Sequence, residues 1–548
     1  MSSPRVVFSN ICEEEKGMYD LLIKNGMIID GTGAPRFQAD VAVKDGVIAK
    51  IAAEITEGAE KVIDAKGLIV SPGFIDTHTH TDKVIFKENL TGYNHLEDGA
   101  TTELAGQCGS HATPYYGEFD PSVGISEEEY AKICENYTTY FAYADSIPHG
   151  TNIAFFAGQG PIRGKVMGFG AGTPNEEQLQ QMRDLMKEAM ECGALGFSTG
   201  LVYTPSVFAG TEELIEIAKV AHEYGGVYTT HIRGEGNQLK ESIEEALVIG
   251  RASGIPVNIS HIKVIGHHNE GNSVDIIKYI EENQKAGMTI TADQYPFIGG
   301  SAPLISQIPP KFLTDGKKEG LRKLAESAEL RKQAEWSIFN EADEFESNIY
   351  SAGYEGSLIA GAFKTKDQIG KTLAQIAEEQ GKTPFDATID LLAANEGIVQ
   401  GIYFAQNESD LLNFLRQPWV MAGSDWSDYE GVVDREKKSG GHPRGMATMV
   451  RRLELIREHG LWSLEDAIYR MTGMPSEVYG LPMIGKLKEG LNADITIFDY
   501  ENVKAMCDYD YPFRRNQGIE YVIVNGGIAV EHGEFTGLKN GKVLRMKR

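Results

Sequence analysis

Cysteine is scarce in this chain: five in 548 residues, namely Cys12, Cys108, Cys134, Cys192 and Cys507, dispersed and without a CxxC pair. That excludes a disulfide framework or a zinc ribbon and points to a reducing compartment. No stretch reaches the roughly 18 consecutive apolar residues of a membrane span. The N-terminus also lacks the charged, apolar and small-residue order of a secretory signal, so a cytoplasmic protein is expected. Positive charge is in deficit, with 52 Lys and Arg against 79 Asp and Glu and a net charge of −27. The basic clusters at Glu436-Lys437-Lys438 and Met546-Lys547-Arg548 are short, so neither nucleic acid nor an anionic membrane is an expected partner. Glycine (61) and proline (20) are too few for a fibrous or disordered chain. What remains is a globular composition, 41% hydrophobic and 24% charged, on a chain too long for one small core.

Both ends read as short strands. Residues 19 to 70 contain Tyr19-Asp-Leu-Leu-Ile-Lys, Met27-Ile-Ile-Asp, Val41-Ala-Val, Val47-Ile-Ala-Lys-Ile, Lys61-Val-Ile-Asp and Leu68-Ile-Val. Asn25-Gly26 and Asp45-Gly46 supply turn signals. The texture returns in Asp494-Ile-Thr-Ile-Phe-Asp, Tyr521-Val-Ile-Val-Asn-Gly and Ile528-Ala-Val-Glu-His-Gly, which suggests one β domain, a small β-sandwich, assembled from both termini. Between them, apolar strands alternate with helical patterns, as in a parallel sheet or barrel. The candidate strands are 73–80, 101–108, 152–158, 194–200, 226–233, 256–263, 288–295 and 419–425. Eight such strands suit an α/β fold of the TIM-type (β/α)8 barrel. Thr173-Pro174-Asn175-Glu176 reads as an N-cap, a first-turn proline and a capping-box glutamate. Residues 302–360, with a helical stretch at Lys317 to Phe339, read as an inserted lid over the barrel mouth. The expected division is therefore 1–70 and 481–548 for the β domain, 71–301 and 361–480 for the barrel, and 302–360 for the lid.

The sharpest chemical signal is Phe74-Ile75-Asp76-Thr77-His78-Thr79-His80. Side chains on a strand alternate faces, so His78 and His80 share one face and can bind one metal. Cys108, His231, His261 and Asp425 lie at or near the ends of other candidate strands. In a (β/α)8 barrel those ends surround one opening. Four histidines, one cysteine and one aspartate there suit one or two zinc ions.

The ordered motifs resemble those of the amidohydrolase superfamily, and within it the D-aminoacylase or N-acyl-D-amino-acid deacylase family. They are Ser71-Pro-Gly-Phe-Ile-Asp-Thr-His-Thr-His, Gly106-Gln-Cys-Gly, Gly200-Leu-Val-Tyr-Thr-Pro, Thr230-His-Ile-Arg-Gly-Glu, Ser260-His-Ile-Lys, Asp293-Gln-Tyr-Pro, Gly423-Ser-Asp and Gly485-Lys-Leu-Lys-Glu-Gly-Leu-Asn-Ala-Asp-Ile-Thr. The resemblance implies a zinc-dependent hydrolase of the amide bond of N-acyl-D-amino acids, with His78, His80, Cys108, His231, His261 and Asp425 at the metal centre. Many relatives bridge two metals with a carboxylated lysine from the fourth strand, but Ala194-Leu-Gly-Phe-Ser-Thr-Gly has none, and Cys108 looks like its replacement. Zinc lowers the pKa of bound water to about 7, and Asp425 is the expected proton shuttle. Arg444, in His442-Pro-Arg444, resembles the family's carboxylate-binding arginine. Lys263, Tyr203, Tyr295 and Ser301 are further candidates for substrate contact. Trp426 stands where relatives often carry glycine, and Asp428 to Gly441 form a long stretch before His442, which puts substrate identity in question more than the metal chemistry.

Three other readings compete. Gly196-Phe-Ser198-Thr-Gly200 matches GxSxG, but a serine nucleophile needs a strand-to-helix elbow, whereas Leu201-Val-Tyr-Thr-Pro205 reads as a loop. A hydantoinase-like or dipeptidase-like enzyme could use the same metal chemistry. A non-catalytic scaffold would be expected to have lost ligands, yet all six positions carry competent ones.

Overall fold

In the computed structural model, residues 18–88 and 90–546 are described. Cys12, Lys547 and Arg548 lie outside them. Eight parallel strands form the centre: Phe74–Thr79, Ala100–Ala105, Asn152–Phe155 continued by Ala157–Gly158, Gly196–Gly200, Val227–His231, Val257–Ile259, Ile290–Gln294 and Val420–Ala422. They pair in sequence order. Leu195 N donates to Phe155 O at 2.9 Å across the third and fourth. The ring closes where Thr79 bridges Trp426 in parallel and Asp425 N donates to His78 O at 2.8 Å. All eight expected strands are present, most of them shortened.

Strand alternation sorts the barrel wall into two faces. Ile75, Leu104, Ala154, Phe156, Leu195, Val227 and Met421 share a buried cluster with Met474, Tyr479 and Leu481, which fills the barrel interior. Residues of the outer face, including Phe155, Phe197, Tyr228 and Val257, pack against the helices, among them Glu176–Cys192, Thr211–Glu223 and Leu239–Ser253; Leu195 precedes the strand that carries Phe197. The first of these helices does not start as the sequence suggested. Asn175 is the N-cap and accepts from Gln178 N at 2.9 Å, while Gln178 Oε1 accepts from Asn175 N at 2.9 Å. Three consecutive residues could have begun this helix, and the reciprocal pair with Gln178 selects Asn175 over Thr173.

A nine-stranded sheet joins the two chain ends. Tyr19–Ile28 pairs with strands of its own hairpin, while Ile69–Pro72 pairs antiparallel with Ile495–Phe498 from the other terminus. Leu21, Ile23, Val41 and Ile63 meet Ile495, Ile497 and Ile523 in one apolar core. Beyond that sheet the tail turns back to the barrel. Val543 bridges Ile153, and Leu544 N donates to Ile153 O at 2.7 Å.

Between the seventh and eighth barrel strands, Gly300–Pro303 and Ser357–Ala362 each pair antiparallel with Val399–Tyr403. Leu304, Leu321, Ile338, Ile359, Leu373, Leu392 and Tyr403 share the core of this region. The expected break at residue 360 falls inside the strand Ser357–Ala362, because its partner strand arrives about forty residues later. The expected helix over Lys317 to Phe339 is two helices, Lys317–Glu326 and Ala328–Asn340, divided at Ser327, whose side chain caps the second. Among the described residues, no helix is long and apolar enough to cross a membrane.

Phe156 is fully buried inside the barrel. Phe156→Ala is expected to cost about 3–5 kcal/mol, read as an earlier denaturant midpoint. An unchanged midpoint would mean that the interior collapses around the gap.

Candidate metal centre

Cys108 lies just past the second barrel strand, buried, with its sulfur facing three imidazoles. Its Sγ is 3.2 Å from His78 Nε2, 3.3 Å from His261 Nε2 and 3.8 Å from His231 Nδ1. His80 Nε2 lies 3.0 Å from Asp425 Oδ1, and His78 Nε2 lies 3.6 Å from the same oxygen. The donor atoms of His78, Cys108, His261 and Asp425 all fall within 4.8 Å of one another. All six sequence candidates for the centre therefore meet at one end of the barrel. That is the end where the strands finish, as the fold requires.

Backbone geometry at these positions is unusual. Cys108, His261 and Asp425 have positive φ of 53°, 36° and 54°, each a departure that costs about 1–3 kcal/mol and clusters at functional sites. Two glycines make room. A Cβ at Gly200 would fall 2.1 Å from Cys108 O, and one at Gly423 would fall 2.6 Å from His78 Cβ. The strand ends are thus bent so that their side chains face one another.

Charge follows from the arrangement. Burial would raise the Cys108 thiol, but the His78 and His261 imidazoles outweigh it and hold the thiol well below its ordinary value, as a thiolate. Burial works against a charged His78, yet Asp293 and Cys108 raise it well above the usual range. His261 is likewise opposed by burial and by Lys263, but Cys108 and Glu235 raise it to about 9. Asp425, which burial would raise, is held well below the usual carboxylate range by Arg444, His261 and His80. A thiolate and a carboxylate are thus ready to meet a cation, which would replace the imidazole protons.

Carboxylates back the ring nitrogens that face away from the sulfur. Asp293 Oδ1 is 3.0 Å from His78 Nδ1, and Glu235 Oε1 is 3.0 Å from His261 Nδ1. The Glu235 carboxylate, four residues after His231, also meets Lys263 Nζ at 2.5 Å. Sequence reasoning gave neither Asp293 nor Glu235 a role, although both stand in quoted motifs, because an acid behind a ligand carries no spacing rule of its own. Lys263 is correspondingly engaged by Glu235 and by His261 Nδ1 at 2.7 Å, so its charge is already balanced.

The remaining candidates lie at different depths around the mouth. Arg444 Nη1 is 2.9 Å from Asp425 Oδ2, and the guanidinium lies over Tyr295 at 4.6 Å and Trp426 at 5.5 Å. Arg444 Nε is buried without a hydrogen-bond partner. Tyr203 packs edge-on against His231 at 5.1 Å. Tyr295 OH accepts from Gln406 Nε2 at 3.3 Å. The Ser301 hydroxyl is occupied within the inserted sheet, donating to Gly401 O and accepting from Gln400 Nε2, both at 2.9 Å. Ser198 of the GxSxG match is fully buried on its strand. It donates to Gly106 O and accepts from Gly109 N at 3.0 Å, a structural tie and not a nucleophile elbow.

A buried cluster of imidazoles, a thiolate and a carboxylate at the C-terminal mouth of a (β/α)8 barrel is the donor set of the metal-dependent barrel hydrolases. The chain belongs to the amidohydrolase family, whose model matches residues 61–304 and 361–530. It is 32% identical to a D-aminoacylase of Alcaligenes xylosoxydans xylosoxydans over 529 residues, covering 96% of this chain and 97% of that one. It is 30% identical to the N-acyl-D-glutamate deacylase of the same organism, over 96% of each chain. Among solved structures, it superposes with a TM-score of 0.80 and 30% identity on the N-acyl-D-glutamate deacylase of Bordetella bronchiseptica, complexed with zinc and a phosphonate inhibitor that mimics the tetrahedral intermediate, over 96% of this chain and all of that one.

Glu235→Gln is expected to weaken metal binding about 10–100-fold by loosening His261, measured by competition with a chelator. Unchanged affinity would show that Glu235 does not orient the ring.

Proposed function

We propose that this protein hydrolyses the amide bond of N-acyl-D-amino acids with zinc held by His78, His80, Cys108, His231, His261 and Asp425. The observation that carries this reading is the Cys108 sulfur within 3.2–3.8 Å of three imidazole nitrogens. The residues present fit such an ion. A thiolate and neutral imidazoles are zinc donors, acids back the outward ring nitrogens, and His80 Nδ1 is buried without a partner. When bound, zinc supplies an acidified water and polarises a carbonyl.

The chain's own residues do the rest. Asp425, ionised and 3.0 Å from His80, accepts a proton from water as the acyl carbon is attacked and returns it to the nitrogen as the C–N bond breaks. The products are a carboxylate and a free D-amino acid. Arg444, sandwiched between Tyr295 and Trp426, offers its unpaired Nε edge to the substrate carboxylate, a planar match. Tyr203 and Tyr295 border the reacting centre. Lys263, balanced by Glu235, holds His261, while Ser301 fixes the inserted sheet beside Arg444. We assign residues 300–403 to one inserted unit, since its three strands and its core close on themselves. It covers the mouth through the Glu346 carboxylate, which accepts the backbone N–H groups of Glu235 and Gly236. Four unpaired cysteines, Cys108, Cys134, Cys192 and Cys507, favour a cytoplasmic setting.

The test is a steady-state assay of enantiomeric N-acetyl amino acids, with metal content measured on the same sample. The D series should be cleaved by the zinc-loaded protein, and Asp425→Asn should lower kcat about 10²–10⁴-fold with circular dichroism unchanged. Full turnover after exhaustive chelation, or an undiminished Asp425→Asn rate, would overturn the reading.

A further inference from the structure

On the outer side of the barrel wall, a second group of buried ionisable side chains has no part in the chemistry above. Asp76 of the first strand lies in register with Glu103 of the second. Their neighbours Ile75 and Leu104 fill the barrel interior, so Asp76 and Glu103 project the other way, and the register shift between Asp76 and Thr79 breaks the alternation before His78. They face His95 on the short helix Tyr93–Glu97 and Asp428 on the segment that follows Asp425. All four residues are at least nine-tenths buried.

The geometry differs from that of an ordinary ion pair. His95 Nε2 is 3.3 Å from Glu103 Oε2 and 3.6 Å from Asp428 Oδ1. Yet neither His95 Nε2 nor Asp428 Oδ1 has a hydrogen-bond partner. Donors at about 2.0–2.2 Å from one ion in a tetrahedron sit about 3.3–3.6 Å apart, which is the spacing of both nitrogen–oxygen pairs. The supporting contacts are those of a built site. Thr81 and Thr151 hydroxyls each donate to Glu103 at 2.6 Å, fixing its carboxylate. Asp76 Oδ2 is 3.3 Å from His95 Nδ1, which keeps the proton on Nδ1 and leaves the Nε2 lone pair free, as behind a metal-bound histidine.

Charge balance argues the same way. Among the described residues, no lysine or arginine lies within ion-pair distance of Asp76, Glu103 or Asp428, which share one imidazole, and burial with the neighbouring Glu103 raises Asp428 well above the usual carboxylate range. Buried charges without partners are costly. A divalent cation supplies two positive charges and uses His95 as a neutral donor.

We propose that His95 Nε2, Glu103 Oε2 and Asp428 Oδ1 bind a further divalent cation of the first transition row, or zinc, outside the barrel. One nitrogen and two carboxylate oxygens suit such ions. The ion clamps the segment after Asp425 to the second strand and to the helix Tyr93–Glu97.

The test counts metal in full-length protein whose main centre is disabled by Cys108→Ala and His261→Ala. After loading with zinc or manganese and desalting, this background should retain about one equivalent per chain, and adding Glu103→Gln should reduce it to the buffer blank. A background that retains none, or retention that survives Glu103→Gln, would overturn the proposal and leave the cluster as an internal ion pair. If the background does not fold, wild type and Glu103→Gln are compared directly. A difference of about one equivalent with unchanged circular dichroism supports the site, and equal counts overturn it. Asp428→Asn is read in the same way if Glu103→Gln fails to fold.

Discussion

A thiolate held among three imidazoles is the constraint on which the rest of the site depends. Cys108 is buried, and a buried anion is costly unless opposite charge lies against it. His78 and His261 supply that charge and are raised in turn by the sulfur. Removing the sulfur would leave an excess of positive groups around Arg444 and Lys263. Removing the imidazoles would return the thiol to its neutral form. The group is therefore stable as a set, and its surplus protons are what a metal ion displaces.

Holding that set together shapes the backbone around it. Three of the six residues sit at positive φ, and glycines at 200 and 423 occupy places where a methyl group would strike Cys108 or His78. Carboxylates behind the rings fix their orientation, and one of them, Glu235, is also tied through its backbone to Glu346 of the inserted unit. Burial, and then the neighbouring Glu235, raise Glu346 to about 8, so Glu235 meets a carboxyl group that favours its proton. The mouth, the ligands and the cover are thus linked by direct contacts.

Much of this was legible in the sequence. Period-two alternation at Phe74 to His80 and the recurrence of apolar strands gave the barrel, and ligand-type residues at strand ends gave six side chains that come together at its mouth. The rest was hidden for physical reasons. Asp293 and Glu235 act behind other side chains, and no local pattern distinguishes such an acid from a solvated one. Asp76, Glu103, His95 and Asp428 meet across the outer wall, through tertiary contacts between residues as much as 333 positions apart. The strand Ser357–Ala362 runs across residue 360, because strand partners are chosen in space. Thr173, Pro174 and Asn175 each suit a helix start, and the reciprocal bond to Gln178 decides among them.

Sulfur ligation separates this account from any in which Cys108 is an inert buried thiol. X-ray absorption at the zinc edge of the loaded protein measures it directly. The account predicts a sulfur scatterer at about 2.3 Å beside nitrogen and oxygen at about 2.0–2.2 Å. A first shell of nitrogen and oxygen alone would contradict it.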